Sequence, residues 1–383
     1  LRLLACAAAL AAAACGGVRP APPPALFPAP TAWLTPLEQP LEGDLATDGA
    51  RIFVPLRDGT LLGLDRQTGE RLWSAPPRPG AISAAPGTLL LRQADGRLWS
   101  LAPRNGSARW RADTGITGSL AAATENRWAF VAGDGLAAVE LETGRIVWTA
   151  KEKTTVTAPP LPWGSWLLVG EQDGTLRLRE RETGRSVWTW NAGSPWKAAP
   201  AVDDRVLFAG STAHGFYSLK LDSGDRRWRW KLGADVVAPP VLYGDDAVAF
   251  ATLENVLWSL ERGKGRLVWR APLPSRPLGG PQLVGGALVI ACLEDELLAI
   301  DTRTGAKLAR ARTPSPLRTA PIVVGDTLYV GLRNPWSVAA LRLAGVDPEG
   351  RPLPPPPPAP SPTQPAEPAE AEASPSPAAS PRP

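Results

Sequence analysis

The 383-residue chain has no Met, one His and three Cys, and its aromatics are lopsided: sixteen Trp stand against six Phe and three Tyr. The single His, His214, leaves no material for a His-based triad or a multi-His zinc site. The three Cys, at positions 6, 15 and 292, cannot build a disulfide framework. Cys292 lies in the apolar stretch ALVIACL and reads as a small buried residue. No run of Lys or Arg occurs. The 41 basic and 37 acidic residues interleave, so the net charge of +4 never gathers into a nucleic-acid surface. No apolar run reaches the ~20 residues that span a bilayer as a helix. No Gly-rich loop stands between a strand and a helix to cradle a phosphate.

The 44 Pro cluster at the two ends, which therefore read separately from the middle. Residues 1–15 combine Arg2, the apolar run Leu3–Ala14 and the sequence Ala12-Ala13-Ala14-Cys15-Gly16. This has the outline of a lipoprotein signal peptide, with small residues before a Cys that receives lipid. The pattern departs from a lipobox in having Leu at position 10 rather than three residues before Cys15. Leu3-Leu4-Ala5-Cys6 fits the pattern better, but would serve only with further residues upstream. The alternative is a plain secretory signal with an incidental Cys. Residues 16–32, rich in Pro and Ala, are expected to form a tether holding a folded body off a membrane. Residues 347–383 form a Pro-rich tail with too little apolar surface to fold, and disorder is expected there.

The middle of the chain repeats. Gly recurs at 69, 106, 144, 184, 224, 265, 305 and 345, at spacings of 37, 38, 40, 40, 41, 40 and 40. Trp follows four residues later at Trp73, Trp110, Trp148, Trp188, Trp228 and Trp269, while Ala309 takes the next place. Six residues before each Gly stands a mostly small residue: Gly63, Ser100, Ala138, Ser218, Ser259, Ala299 and Ala339, with Leu178 the exception. Each unit reads as four short strands, and Asp-Gly recurs between the second and third at residues 58, 95, 134 and 173. Four-stranded units of this period are propeller blades. The last unit breaks off after Gly345, but Trp33 stands 40 residues before Trp73, in register with the series. The expected fold is thus all-β: a single eight-bladed β-propeller of antiparallel blades over residues 33–346, closed by an N-terminal strand near Trp33. The repeated Trp are expected to be structural, packing from each outer strand across to the neighbouring blade.

The segments LDRQTGERLW, VELETGRIVW and LRERETGRSVW resemble the repeat of the quinoprotein-type propellers over roughly residues 33–345. That superfamily includes pyrroloquinoline-quinone (PQQ) alcohol dehydrogenases and the BamB-type lipoproteins of outer-membrane protein assembly. Size, blade number, single-domain layout and the Cys15 motif resemble the second group. The resemblance implies a non-enzymatic, BamB-like scaffold with protein partners, among them the outer-membrane barrel-assembly protein. It also implies a lipid anchor in the outer membrane on its periplasmic side. No cofactor, metal or nucleic acid is expected, and the chain is expected to be a monomer. One alternative is a PQQ-dependent oxidoreductase or another cofactor-binding propeller. The adjacent Cys pair that the dehydrogenases carry over the cofactor is absent here. A second alternative is a cell-surface module for protein or polysaccharide.

For a partner site, loop aromatics and basic residues are the natural anchors. Trp163, Trp166, Trp196 and Trp336 fall outside the repeat register. Trp196 with Lys197, and Leu317 with Arg318 in the equivalent loop, are the expected partner-binding residues on one rim. His214 reads as an exposed turn residue. The acidic pairs Asp203-Asp204 and Asp245-Asp246, and Glu294-Asp295-Glu296, read as turn chemistry rather than a calcium site. The Cys15 reading is tested by detergent phase partitioning of the expressed protein. The parent should enter the detergent phase and Cys15→Ser should stay aqueous; aqueous parent protein would remove the lipid.

Overall fold

The computed structural model describes residues 24–118, 123–125 and 127–353. Among them are thirty-two strands and no helix, arranged as eight four-stranded antiparallel sheets. This is the eight-bladed propeller that the repeat implies. Blades 1 to 7 take their strands in chain order, beginning at Ala46, Ala81, Ala123, Leu161, Ala201, Val241 and Gln282.

Blade 5 shows how sequence becomes blade. Its strands are Ala201–Asp203, Val206–Ser211, Gly215–Lys220 and Arg226–Lys231, from the axis outwards. The second and third strands, VLFAGS and GFYSLK, are almost wholly buried. Neighbouring blades cover both of their faces, so they read as apolar runs rather than as an alternation. The outer strand, RRWRWK, alternates between exposed and half-buried positions, because only one of its faces meets a neighbour.

Blade 8 is completed from the other end of the chain. Ile322–Val324, Thr327–Leu332 and Ser337–Arg342 supply three strands, and Thr31–Pro36 pairs antiparallel with the last of them, Leu34 opposite Ala339. The ring therefore closes through the segment around Trp33.

The blade-to-blade contact repeats in detail. The indole Nε1–H of each Trp in the repeat register donates to a backbone carbonyl in the turn of the next blade. Trp33 reaches Arg66 O, Trp73 Pro103 O, Trp110 Leu141 O and Trp148 Arg181 O; Trp188 reaches Leu221 O, Trp228 Arg262 O and Trp269 Thr302 O, all at 2.7–3.1 Å. The repeat Gly is the seat on which the preceding blade's ring lies. At Gly69, φ is +75° and an added Cβ would fall 2.5 Å from the Trp33 ring, so a side chain is excluded both by conformation and by space. Rings lie in the same way on Gly106, Gly144, Gly184, Gly224, Gly265 and Gly305. The Gly and the Trp four residues after it thus belong to two different junctions.

The small residue six before the Gly has its own reason. In blades 1 to 6 it stands directly opposite the Trp of its own blade, as in Gly63↔Trp73, Ser100↔Trp110, Ala138↔Trp148 and Ser259↔Trp269, whereas in blade 8 Trp33 faces Ala340. A Cβ on Gly63 would lie 2.2 Å from the Trp73 ring. Leu178 faces Trp188 in the same register, and nothing in the structure explains why that junction takes a larger residue. A β-bulge follows the small residue in blades 1 to 7. It throws the residue before the Trp outwards, which leaves Leu72, Val187 and Val268 exposed on the circumference.

Two expected boundaries shift. The tether expected over residues 16–32 gives way to docked chain by Pro24, because Leu26 and Phe27 are buried in the apolar cluster between blades 7 and 8. The tail expected from residue 347 begins with folded chain: Val346 bridges Pro352, and Leu353 N donates to Gly345 O at 2.8 Å. Cys15, the rest of the expected tether and the tail beyond Leu353 lie outside the described residues.

Trp73 and Trp269 are buried, whereas Trp33, Trp110, Trp148, Trp188 and Trp228 are half-buried. In urea unfolding, Trp73→Ala should cost ~3–5 kcal/mol. Trp188→Ala should cost less, since part of its ring is already hydrated. A loss under about 1 kcal/mol at Trp73 would mean that the ring carries no packing between blades.

Candidate protein-binding rim

The two rims of the propeller differ in what they carry. One, the turn rim, holds the turns between first and second strands and between third and fourth strands. The other, the loop rim, holds the hairpins between second and third strands and the loops that lead from blade to blade. Both described chain ends lie on the turn rim. Pro24 lies against Gly285 and Gly345, and the Asp347–Arg351 turn covers Gly325.

On the loop rim five of the inter-blade loops bridge to the neighbouring hairpin strand, and Leu41, Val156, Trp196 and Leu317 turn their side chains inward there. Leu41, Val156, Trp196, Pro277 and Leu317 form isolated bridges to Leu56, Glu171, Ser211, Cys292 and Leu332. This corrects half of the expected partner site. Trp196 is only 1% exposed, and its Nε1–H donates to Gly174 O at 2.8 Å. Its ring packs against Trp190 and Tyr217, at centroid distances of 6.2 and 5.9 Å. Leu317 is 2% exposed in the cluster between blades 7 and 8. Both are wedges of the fold, held by blade packing rather than offered to a partner. A signal was present: 156 and 196, and 277 and 317, are separated by one repeat, so the position recurs with the blades.

Lys197 is exposed and Arg318 half-buried, each directly after its wedge on the loop rim. Three blades separate them, so they do not form one patch. Between them the rim shows His214, whose Nε2 lies 3.3 Å from Asp235 Oδ1, together with the exposed Val237 and Arg276. Of the other Trp outside the register, Trp163 is exposed on the turn rim, and Trp166 and Trp336 are half-buried.

The junction of blades 3 and 4 holds a group that the sequence did not flag. Arg177 and Arg179 occupy third-strand positions that are apolar elsewhere, such as Leu62 and Leu64 in blade 1. Arg177 Nε lies 2.9 Å from Glu171 Oε1 and 3.3 Å from Glu152 Oε2, and Arg179 Nη2 lies 2.5 Å from Glu152 Oε1. Thr154 Oγ1 donates to Glu171 Oε2 at 3.1 Å. Burial pushes the Glu152 carboxyl above the usual range, against the pull of Arg179 and Arg177. Apart from Arg179 Nε, which has no partner, these charges pair with one another, and Glu152 ties blade 3 to blade 4.

The acidic turns are occupied in a similar way. Asp203 pairs with Arg262 at 2.7 Å, Asp246 Oδ1 accepts from Gly263 N, and Asp295 and Glu294 face Arg312 and Arg333. Among the described residues no group of three His, Cys, Asp or Glu is placed to hold a metal ion. Burial pushes the Cys292 thiol up to about 11.

Comparison with known proteins adds a family. The family model for outer membrane protein assembly factor BamB matches residues 30–190, 172–272 and 254–351. BamB of Legionella pneumophila is 32% identical over 104 residues, which are 26% of this chain and 27% of that protein. BamB of Alkalilimnicola ehrlichii is 37% identical over 92 residues, 24% of each. The chain thus spans about a quarter of the length of the curated relatives it matches. The crystal structure of BamB from Moraxella catarrhalis is similar at a TM-score of 0.70 and 18% identity, covering 82% of this chain and 99% of that one. A quinohemoprotein alcohol dehydrogenase from Comamonas testosteroni is similar at 0.65 and 13% identity, covering 82% and 76%. At these identities the two structures show the shared fold.

The ion ladder gives a direct test. The Glu152 side chain is 1% exposed and reaches from the end of blade 3 to Arg177 and Arg179 of blade 4, so Glu152→Ala strands both guanidinium groups and should cost ~3–5 kcal/mol in chemical denaturation. A change within 0.5 kcal/mol, typical of surface sites, would mean that the ladder does not pin blades 3 and 4.

Proposed function

The chain belongs to the family of the outer membrane protein assembly factor BamB, and from that premise we propose that it is a non-enzymatic scaffold holding protein partners during outer-membrane β-barrel assembly. In this reading Cys15 carries the lipid that anchors it to the outer membrane, with the propeller on the periplasmic side.

The observation that carries the reading is the asymmetry of the rims. Both described chain ends dock on the turn rim, at Gly285, Gly325 and Gly345. A lipid anchor upstream of Pro24 would draw that rim towards the membrane. The loop rim then faces away, clear of both described chain ends, and it is the rim that presents Lys197 and Arg318. Its framework is held by Leu41, Val156, Trp196 and Leu317, which are buried in the blades beneath it. A partner therefore meets a preformed surface, which limits the ordering cost of binding. With Trp196 and Leu317 withdrawn into the fold, charge and the exposed Val237 are what the rim offers. Such a surface suits a protein partner of complementary charge.

Capture of partners from detergent-solubilised membranes on the full chain tests the proposal. The barrel-assembly protein should be recovered. The double variant Lys197→Glu/Arg318→Glu should recover about tenfold less, the effect of ~1.4 kcal/mol, without a change in melting temperature. Failure to recover that protein on the parent chain would overturn the scaffold. Equal recovery on parent and variant would mean that neither Lys197 nor Arg318 contributes to partner binding.

A further inference from the structure

Seven of the eight blade junctions carry the same clasp, an indole lying on a Gly of the next blade. The junction between blades 7 and 8 does not, because Ala309 stands where the Trp belongs. The seat for that Trp is nevertheless complete. Gly345 keeps the repeat φ of +70°, and Ala299 stands opposite Ala309 as the small residues stand opposite Trp elsewhere.

Something else fills the space. Pro24 and Ala25 lie on Gly345, with Pro24 Cβ 3.0 Å and Ala25 O 3.1 Å from where a Cβ would be. Leu26 and Phe27 are 0% and 7% exposed and join the cluster of Val284, Val289, Val330 and Leu341, against which Ala309 and Ala311 pack. The backbone is held as well: Ala344 N donates to Leu26 O at 3.0 Å, and Arg342 N to Pro30 O at 2.9 Å. The segment thus contributes two buried apolar anchors and two main-chain hydrogen bonds, the means by which a groove binds an extended peptide.

We infer that the junction of blades 7 and 8 is a peptide-binding socket, created by the missing Trp at position 309 and occupied in cis by Pro24–Pro30. Its ligand class is a short, uncharged, Pro-flanked peptide with adjacent Leu and Phe anchors. The same segment can enter in trans when the chain's own copy is displaced. This inference stands apart from the proposed scaffold function, since it concerns the opposite rim and needs neither a lipid nor the barrel-assembly protein.

The test uses the full chain carrying Leu26→Asp and Phe27→Asp, which places two charges where the socket is apolar. The probe is a synthetic peptide with the sequence of residues 22–31. The variant should melt roughly 5 °C or more below the parent. The peptide should raise its melting temperature saturably, as a ligand of the native state does. A peptide carrying the same two Asp should not. Adding Ala309→Trp to the variant should restore the melting temperature and abolish the peptide's effect. Should the doubly charged variant fail to fold, Leu26→Ala gives the same readout in a milder form. A variant that melts with the parent, a peptide that produces no saturable shift, or a shift undiminished by Ala309→Trp would each overturn the socket.

Discussion

The structure depends on an indole ring lying in the turn of the next blade. A single blade is a small twisted sheet with two apolar faces and cannot bury them alone. Junctions between blades bury them, and the outer edge of each junction is where water would enter first. There the ring covers a Gly, its N–H meets a carbonyl that would otherwise face the gap, and a small residue behind it leaves room for its thickness. The hydrogen bond alone contributes ~0.5–1.5 kcal/mol net, so ring packing is the larger part. Whole domains are stable by only about 5–15 kcal/mol. One clasp is therefore a sizeable share of the margin, and the blades stand or fall together.

The ring must also close. Thr31–Pro36 pairs with Ser337–Arg342 across some three hundred residues of chain. Loop-closure entropy grows only slowly with length, so this contact is affordable once the blades are formed. Closure brings Trp33 onto Gly69 and joins blade 8 to blade 1. The remaining junction, between blades 7 and 8, is sealed by Leu26 and Phe27. As a result both described chain ends, at Pro24 and Leu353, lie on the turn rim.

Much of this was legible in the sequence because it is periodic. Gly and Trp at a fixed offset, small residues at another, and Asp-Gly hairpins between strands gave the blade count and the closing strand near Trp33. What stayed hidden was local. Trp196 and Leu317 sit in loops, where an aromatic or a Leu suggests a binding anchor. Their isolated bridges to Ser211 and Leu332 and their burial show that the loop turns them inward, a position that recurs with the blades. The ladder of Glu152, Glu171, Arg177 and Arg179 was invisible because each charge looked like an ordinary surface residue on a strand or at a loop start. Burial arises only when two blades meet. Leu26 and Phe27 were hidden by their Pro-rich surroundings, although Ala309 in place of a Trp marked the gap that they fill.

Native-state hydrogen exchange of the indole N–H groups tests the central claim most directly. If the rings clasp neighbouring blades, the Nε1–H protons of Trp33, Trp73, Trp110, Trp148, Trp188, Trp228 and Trp269 should exchange together, at the free energy of global unfolding. Exchange of those seven protons at separate, low opening free energies would contradict the account, since each blade would then open without its neighbours.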